Sequence, residues 1–96
     1  MNLSITGNHL EITASLKDFI KEKMNKIEHH FDKIIDAKIT LSVNKLQHKA
    51  ECTVHVSGAN MRAESTNEDM YVAIENLVQK LDRQVIKHKE KQKKHR

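Results

Sequence analysis

Aromatic residues are nearly missing from this sequence. Phe19, Phe31 and Tyr71 are the only three, and there is no tryptophan. Nucleic-acid binding by stacking bases on side-chain rings needs a larger platform, so that mode is not expected to be the main activity. Glycine occurs only at Gly7 and Gly58, and each sits in a turn-like context. No GxGxxG or Walker loop is present to cradle a nucleotide phosphate, and no HExxH helix to hold a catalytic zinc. Cys52 is the single cysteine. An internal disulfide is impossible, and one unpaired thiol fits a reducing compartment. No apolar run approaches the roughly 18 residues that would suggest a membrane span. The N-terminal MNLSITGNHLEIT has neither a basic region nor an apolar run, so no secretion signal is expected.

What is present is charge. Of 96 residues, 31% are charged and 38% hydrophobic, which suits one small globular domain with a highly charged exterior. The net charge of +4 is unevenly placed. Residues 80–96 carry Lys80, Arg83, Lys87, Lys89, Lys91, Lys93, Lys94 and Arg96 against only Asp82 and Glu90, a net +6, whereas residues 1–79 sum to −2. An acidic body with a strongly basic C-terminal element suggests a polyanionic partner. The competing reading is a solubilising lysine tail.

Periodicity orders the elements. Asn2 to Gly7 alternates Leu3 and Ile5 against Ser4 and Thr6, a first strand. Thr13 is a plausible N-cap for a helix running to about Phe31, with Leu16, Phe19, Ile20, Met24, Ile27 and Phe31 spaced three and four apart. The period then changes to two. Ile35, Ala37, Ile39, Leu41 and Val43 mark a half-buried strand, and Leu46 to Lys49 a polar connection. Ala50, Cys52, Val54 and Val56 mark a third strand, Ser57 to Asn60 a turn, and Met61, Ala63 and Ser65 a fourth strand. Asn67 or Asp69 is positioned to cap a second helix from near Met70, whose apolar stripe is Met70, Ala73, Ile74, Leu77, Val78, Leu81 and Val85. Beyond Ile86 no apolar residue remains, so residues 87–96 are expected to be a solvated extension or a frayed tail.

The expected fold is therefore α+β, in the order β-α-β-β-β-α. A four-stranded sheet carries two helices on one face, an arrangement like that of double-stranded-RNA-binding modules. One-sided strands and single-stripe helices leave no other place for the apolar surface. The first crossover should be right-handed and parallel, and the remaining strands an antiparallel meander. Residues 1–91 form the domain and 92–96 a basic tail.

On a helical wheel with Met70 at zero, the apolar stripe of the second helix centres near 30°, and Lys80, Arg83, Lys87, Lys91 and Lys94 fall between roughly 220° and 300°. Glu75 and Asp82 lie near roughly 120–140°, on the opposite flank. Like charges are thus gathered on one side, where a merely soluble helix would mix signs at i,i+4. On the first helix, Lys23 and Lys26 flank the apolar stripe. Two helices side by side could bring that flank near the Lys80/Arg83/Lys87 ridge. The alternative is that Lys23 and Lys26 snorkel, their stems covering apolar surface.

Catalytic and metal chemistry find no support. His29 and His30 are adjacent on a helix and point about 100° apart. His9, His48 and His55 have no cysteine at zinc spacing, since Cys52 belongs to the opposite strand face from His55. Cys52 itself reads as a small buried hydrophobe. No cofactor, small-molecule substrate or membrane partner is expected.

The segments ITGNHLEIT, KIEHHFD, ITLSVNK, ECTVHVSGANMRAES and NEDMYVAIENLVQKLDRQVIKHKEK together resemble the ribosome hibernation-promoting factor family over about residues 1–91. The most specific pieces are DMYVAI and KLDRQVIKHK. The resemblance implies a bacterial cytoplasmic protein, with the same fold, that binds the small (30S) ribosomal subunit in stationary phase. It would sit in the decoding channel and block messenger and transfer RNA. It implies 16S ribosomal RNA contacts at Lys23 and Lys26 and at Lys80, Arg83 and Lys87, with Lys89 and Lys91 following. The chain is similar to the short form, which acts with a separate ribosome modulation factor to give inactive ribosome dimers. Three alternatives stay open: an inhibitor that does not promote dimers, a double-stranded-RNA-binding module, and a protein-binding regulator. A double-stranded-RNA-binding module would place lysines at the start of the last helix, where this chain has Asn67-Glu68-Asp69.

Overall fold

The computed structural model describes residues 1–94, with side chains described through Lys91. The basic tail expected over 92–96 lies outside the residues whose side chains are described. Elements follow the order β1 (Asn2–Asn8), α1 (Ala14–His30), β2 (Ile34–Asn44), β3 (Gln47–Val56), β4 (Ala59–Asn67) and α2 (Met70–Lys94). The fold is the expected β-α-β-β-β-α. One four-stranded sheet runs β1-β2-β3-β4, with β1 parallel to β2 and antiparallel pairs thereafter.

Both helices start where the sequence places their caps. The Thr13 hydroxyl accepts from the Leu16 amide at 3.2 Å, and the Thr13 carbonyl from Lys17 at 3.0 Å. At α2 the Asp69 carboxylate accepts from the Tyr71 amide at 2.8 Å, while Asn67 accepts from the Asp69 amide at 2.9 Å. These bonds satisfy donors that the first turn leaves orphaned.

The core lies between sheet and helices. Ile20, Met24 and Ile27 of α1 and Ile74, Leu77, Leu81 and Val85 of α2 are fully buried against Ala37, Ile39, Leu41, Ala50, Val54 and Val56. Cys52 is buried among them, as its strand parity predicts.

Two local expectations are corrected. A register shift between Ile34 and Asp36 breaks the alternation at the start of β2, so Ile34 enters the core and Ile35 is 48% exposed. A bulge reassigns the faces of every residue on one side of it. The β2–β3 connection is not Leu46–Lys49 but a two-residue turn at Lys45 and Leu46, since Asn44 pairs with Gln47 and β3 begins there. Lys45 holds φ 59°, a backbone region that usually selects glycine or asparagine. Of the two alternatives for the residues after Ile86, the structure takes the solvated extension, because α2 continues to Lys94 with Lys87, Lys89, Glu90 and Lys91 exposed. At about 1.5 Å per residue its 25 residues span about 37 Å, longer than β4.

Candidate nucleic-acid interface

The two helices run parallel. Phe19 packs edge-on against Tyr71, with ring centroids 5.0 Å apart; Lys23 Nζ lies 3.7 Å from Glu75; and His30 Nδ1 lies 2.7 Å from Asp82. The acidic flank of α2 therefore faces α1. The groove between the helices is lined by Lys23, Lys26, His30, Glu75, Gln79 and Asp82.

The basic flank of α2 faces the other way, toward the edge strand β4. Lys80, Arg83 and Lys87 line a shallow cleft there with Arg62, Glu64 and Gln84. Lys23 and Lys26 are thus not brought beside the Lys80/Arg83/Lys87 ridge, as the sequence reading expected. The body of α2 separates the two sets. The reason is the placement of its apolar stripe, which sets the two charged flanks on opposite sides of the helix once the stripe faces the sheet.

The side chains differ in what already occupies them. Lys23 is largely buried; its ammonium sits 5.3 Å from the centre of the Phe19 ring and close to Glu75. That is the snorkelling arrangement, with a carboxylate at the tip. Lys26 is exposed and has no ion-pair or hydrogen-bond partner among the described residues. Lys80 donates to the Glu64 carbonyl at 2.8 Å. Lys89 donates to the His30 carbonyl at 3.0 Å, placing a cation at the C-terminal end of α1, where the helix dipole favours one. Arg83, Lys87 and Lys91 are exposed and, among the described residues, unpartnered.

The outer sheet face neutralises itself. Arg62 Nη2 lies 3.0 Å from Glu51, and Lys49 Nζ 2.9 Å from Glu64. Lys49, by hydrogen bond and charge, holds the Glu64 carboxyl below its usual range, and Glu64 in turn raises Lys49. With Glu51 engaged by Arg62 and Glu64 by Lys49, the cations of α2 keep a net positive field along one edge. No three His, Cys, Asp or Glu side chains among the described residues cluster to hold a metal. Sequence reasoning missed the position of Arg62 at this cleft, because it arises from α2 packing over β4, and nothing in the local pattern of β4 encodes it.

Comparison with known proteins gives a consistent result. Residues 3–93 match the family model described as sigma 54 modulation protein / S30EA ribosomal protein. Among similar proteins, the ribosome hibernation promoting factor of Azotobacter vinelandii is 49% identical over 92 residues, covering 96% of this chain and 86% of the relative. That of Escherichia coli K12 is 44% identical over 95 residues, covering 99% and 100%. Among solved structures, a ribosomal subunit interface protein from Coxiella burnetii superposes with a TM-score of 0.89 at 28% identity, covering 93% of this chain and 98% of the other. The N-terminal domain of Thermus thermophilus Protein Y gives 0.86 at 31% identity, covering 92% and 99%.

Proposed function

We propose, from the premise that this chain belongs to the sigma 54 modulation protein / S30EA ribosomal protein family, that it silences translation by occupying the small ribosomal subunit. The protein binds the 30S subunit in the decoding channel through 16S ribosomal RNA. It excludes messenger and transfer RNA by overlap, and with a ribosome modulation factor it favours inactive ribosome dimers in the bacterial cytoplasm. Its relatives carry the name ribosome hibernation promoting factor, which supports the reading at the level of the ribosome.

The observation that carries the proposal is the unpartnered Arg83 and Lys87 beside Lys80 on a helix whose acidic residues are turned away toward α1. Lys91 extends this line, and Lys26 and Lys89 offer cations on the far side of α2. Each cation that neutralises a phosphate releases counterions, so affinity should be strongly salt-dependent. Structured RNA is read through shape, phosphates and 2′-hydroxyls, a task suited to a rigid helical surface with few aromatics. The start of α2 serves no such purpose. The Tyr71 amide there is already capped by Asp69, and this disfavours a duplex-binding mode that uses that end of the helix.

The test is cosedimentation with 30S subunits and sucrose-gradient profiles of ribosomes with and without added protein. The Arg83→Glu/Lys87→Glu variant should fail to cosediment at moderate salt, and binding equal to the unaltered chain would refute the ridge. With five or six phosphate contacts, log K should fall against log salt with a slope of roughly −4 to −5.

A further inference from the structure

Two polar side chains of α2 clasp the outer edge of β4. Lys80 Nζ donates to the Glu64 carbonyl at 2.8 Å, and Gln84 Nε2 donates to the Arg62 carbonyl at 2.9 Å. These bonds fill carbonyls on the edge of the sheet and fix the distance between helix and strand. They leave a cleft of about 810 Å³ lined by Lys80, Arg83 and Lys87 of α2 and by Arg62 and Glu64 at the edge of β4.

Arg62 differs from the other three in being supplied by the sheet. Its side chain is 72% exposed and gives one terminal nitrogen to Glu51 at 3.0 Å. A guanidinium has five N–H donors in a planar fork, so it can hold a carboxylate at one edge and still present donors at the other. Glu64 is the only carboxylate lining the cleft among the described residues, and Lys49 already engages it from the outer face.

We infer that this cleft seats the phosphodiester backbone of RNA, with Arg62 as a phosphate-contacting residue opposite the helical cations. The inference rests on the ribosomal RNA reading of the ridge and deepens it, since the strand enters a pocket between helix and sheet instead of lying on the helix alone. Extended RNA fits better than a free phosphate because the cations from Lys80 to Lys87 span about 10 Å along the helix axis. The two hydrogen bonds to β4 pre-organise the walls, which lowers the ordering cost of binding.

The test uses the full chain and equilibrium binding to 30S subunits over a salt series. Arg62→Gln should weaken binding and lower the magnitude of the log K against log salt slope by about one contact, roughly 0.7–0.9. Its circular dichroism and melting curve verify the fold. Glu51→Gln, which frees the guanidinium, should bind at least as tightly as the unaltered chain. The Arg83→Glu/Lys87→Glu variant separates the two claims. If it loses binding while Arg62→Gln keeps both affinity and slope, the cleft assignment falls and the ridge stands. If both variants bind unchanged, the ridge falls as well. Weaker binding of Arg62→Gln with an unchanged slope also overturns the inference, because it marks an altered shape and not a lost phosphate contact.

Discussion

His30 and Asp82 meet across the seam between α1 and α2, Nδ1 to Oδ1 at 2.7 Å, and they are 52 residues apart in the chain. The same offset separates Phe19 from Tyr71 and Lys23 from Glu75. Three contacts with one offset fix two parallel helices in a single register. α2 runs on past the end of α1, and the hydrogen bond from Lys89 to the His30 carbonyl places positive charge at the C-terminal end of α1, where the helix dipole favours it. A double-mutant cycle with His30→Ala and Asp82→Ala should give a coupling of about 0.2–1 kcal/mol, since His30 is half exposed. Urea denaturation of the four proteins of the cycle measures it. A coupling of zero would mean that the contact does not set the register.

The two glycines should fail differently when replaced. A β-carbon on Gly7 would stand 2.3 Å from the Leu10 carbonyl oxygen and about 3 Å from the Ile12 side chain, because the chain folds back over β1 after His9. Gly7→Ala is expected to cost about 1–3 kcal/mol by overpacking. Gly58 has open space around it but holds φ +79° in the turn before β4. Gly58→Ala should cost roughly 1–2 kcal/mol through backbone strain. Asparagine tolerates the left-handed region, so Gly58→Asn should recover much of the loss, whereas Gly7→Asn should be worse than Gly7→Ala. Midpoints of urea unfolding for the four variants decide it.

Much of this fold was legible because the chain states the same thing at several levels. The shift from period 3.6 to period 2 after Phe31, the cap residues Thr13 and Asp69, and the one-sided strands all point to two helices on one face of a sheet. The failures have local causes. Ile34 and Ile35 are both isoleucine, so pattern alone does not say which faces inward, and a bulge decides. The β2–β3 connection was expected too late in the chain because Lys45 occupies a positive-φ position that usually goes to glycine or asparagine. The cationic ridge was visible on a helical wheel, but its neighbour was not. Which flank of α2 meets α1 depends on the order of strands beneath, and that order sends Glu75 toward Lys23 and Arg83 toward β4.

Cys52 should behave as core and not as a reactive thiol. Burial pushes its pKa up from 9.0 to about 12, against a small opposing hydrogen bond from Lys38. A raised folded-state value means that the unfolded chain releases this proton first. The associated stability is fully present below pH 9 and is lost as pH rises from there toward 12. Native protein at pH 8 should therefore resist a thiol-specific reagent and react only after denaturation. Cys52→Ala should flatten the alkaline decline in stability, and rapid labelling of the native protein would contradict the buried assignment.

Lys23 and Lys26 lie three residues apart on α1, yet they should answer a salt titration differently. Lys23 is tied to Glu75 and stacked near Phe19, so an RNA phosphate would have to compete with a carboxylate already in place. Lys26 is exposed with no such partner among the described residues. Lys23→Gln should lower the melting temperature while leaving the salt slope of 30S binding unchanged. Lys26→Gln should leave the melting temperature unchanged and reduce the slope by about one contact, roughly 0.7–0.9. Thermal melts paired with binding at four or so salt concentrations separate the two roles. An equal loss of slope in both variants would show that Lys23 exchanges Glu75 for phosphate on the ribosome, and the seam between the helices would then have to open on binding.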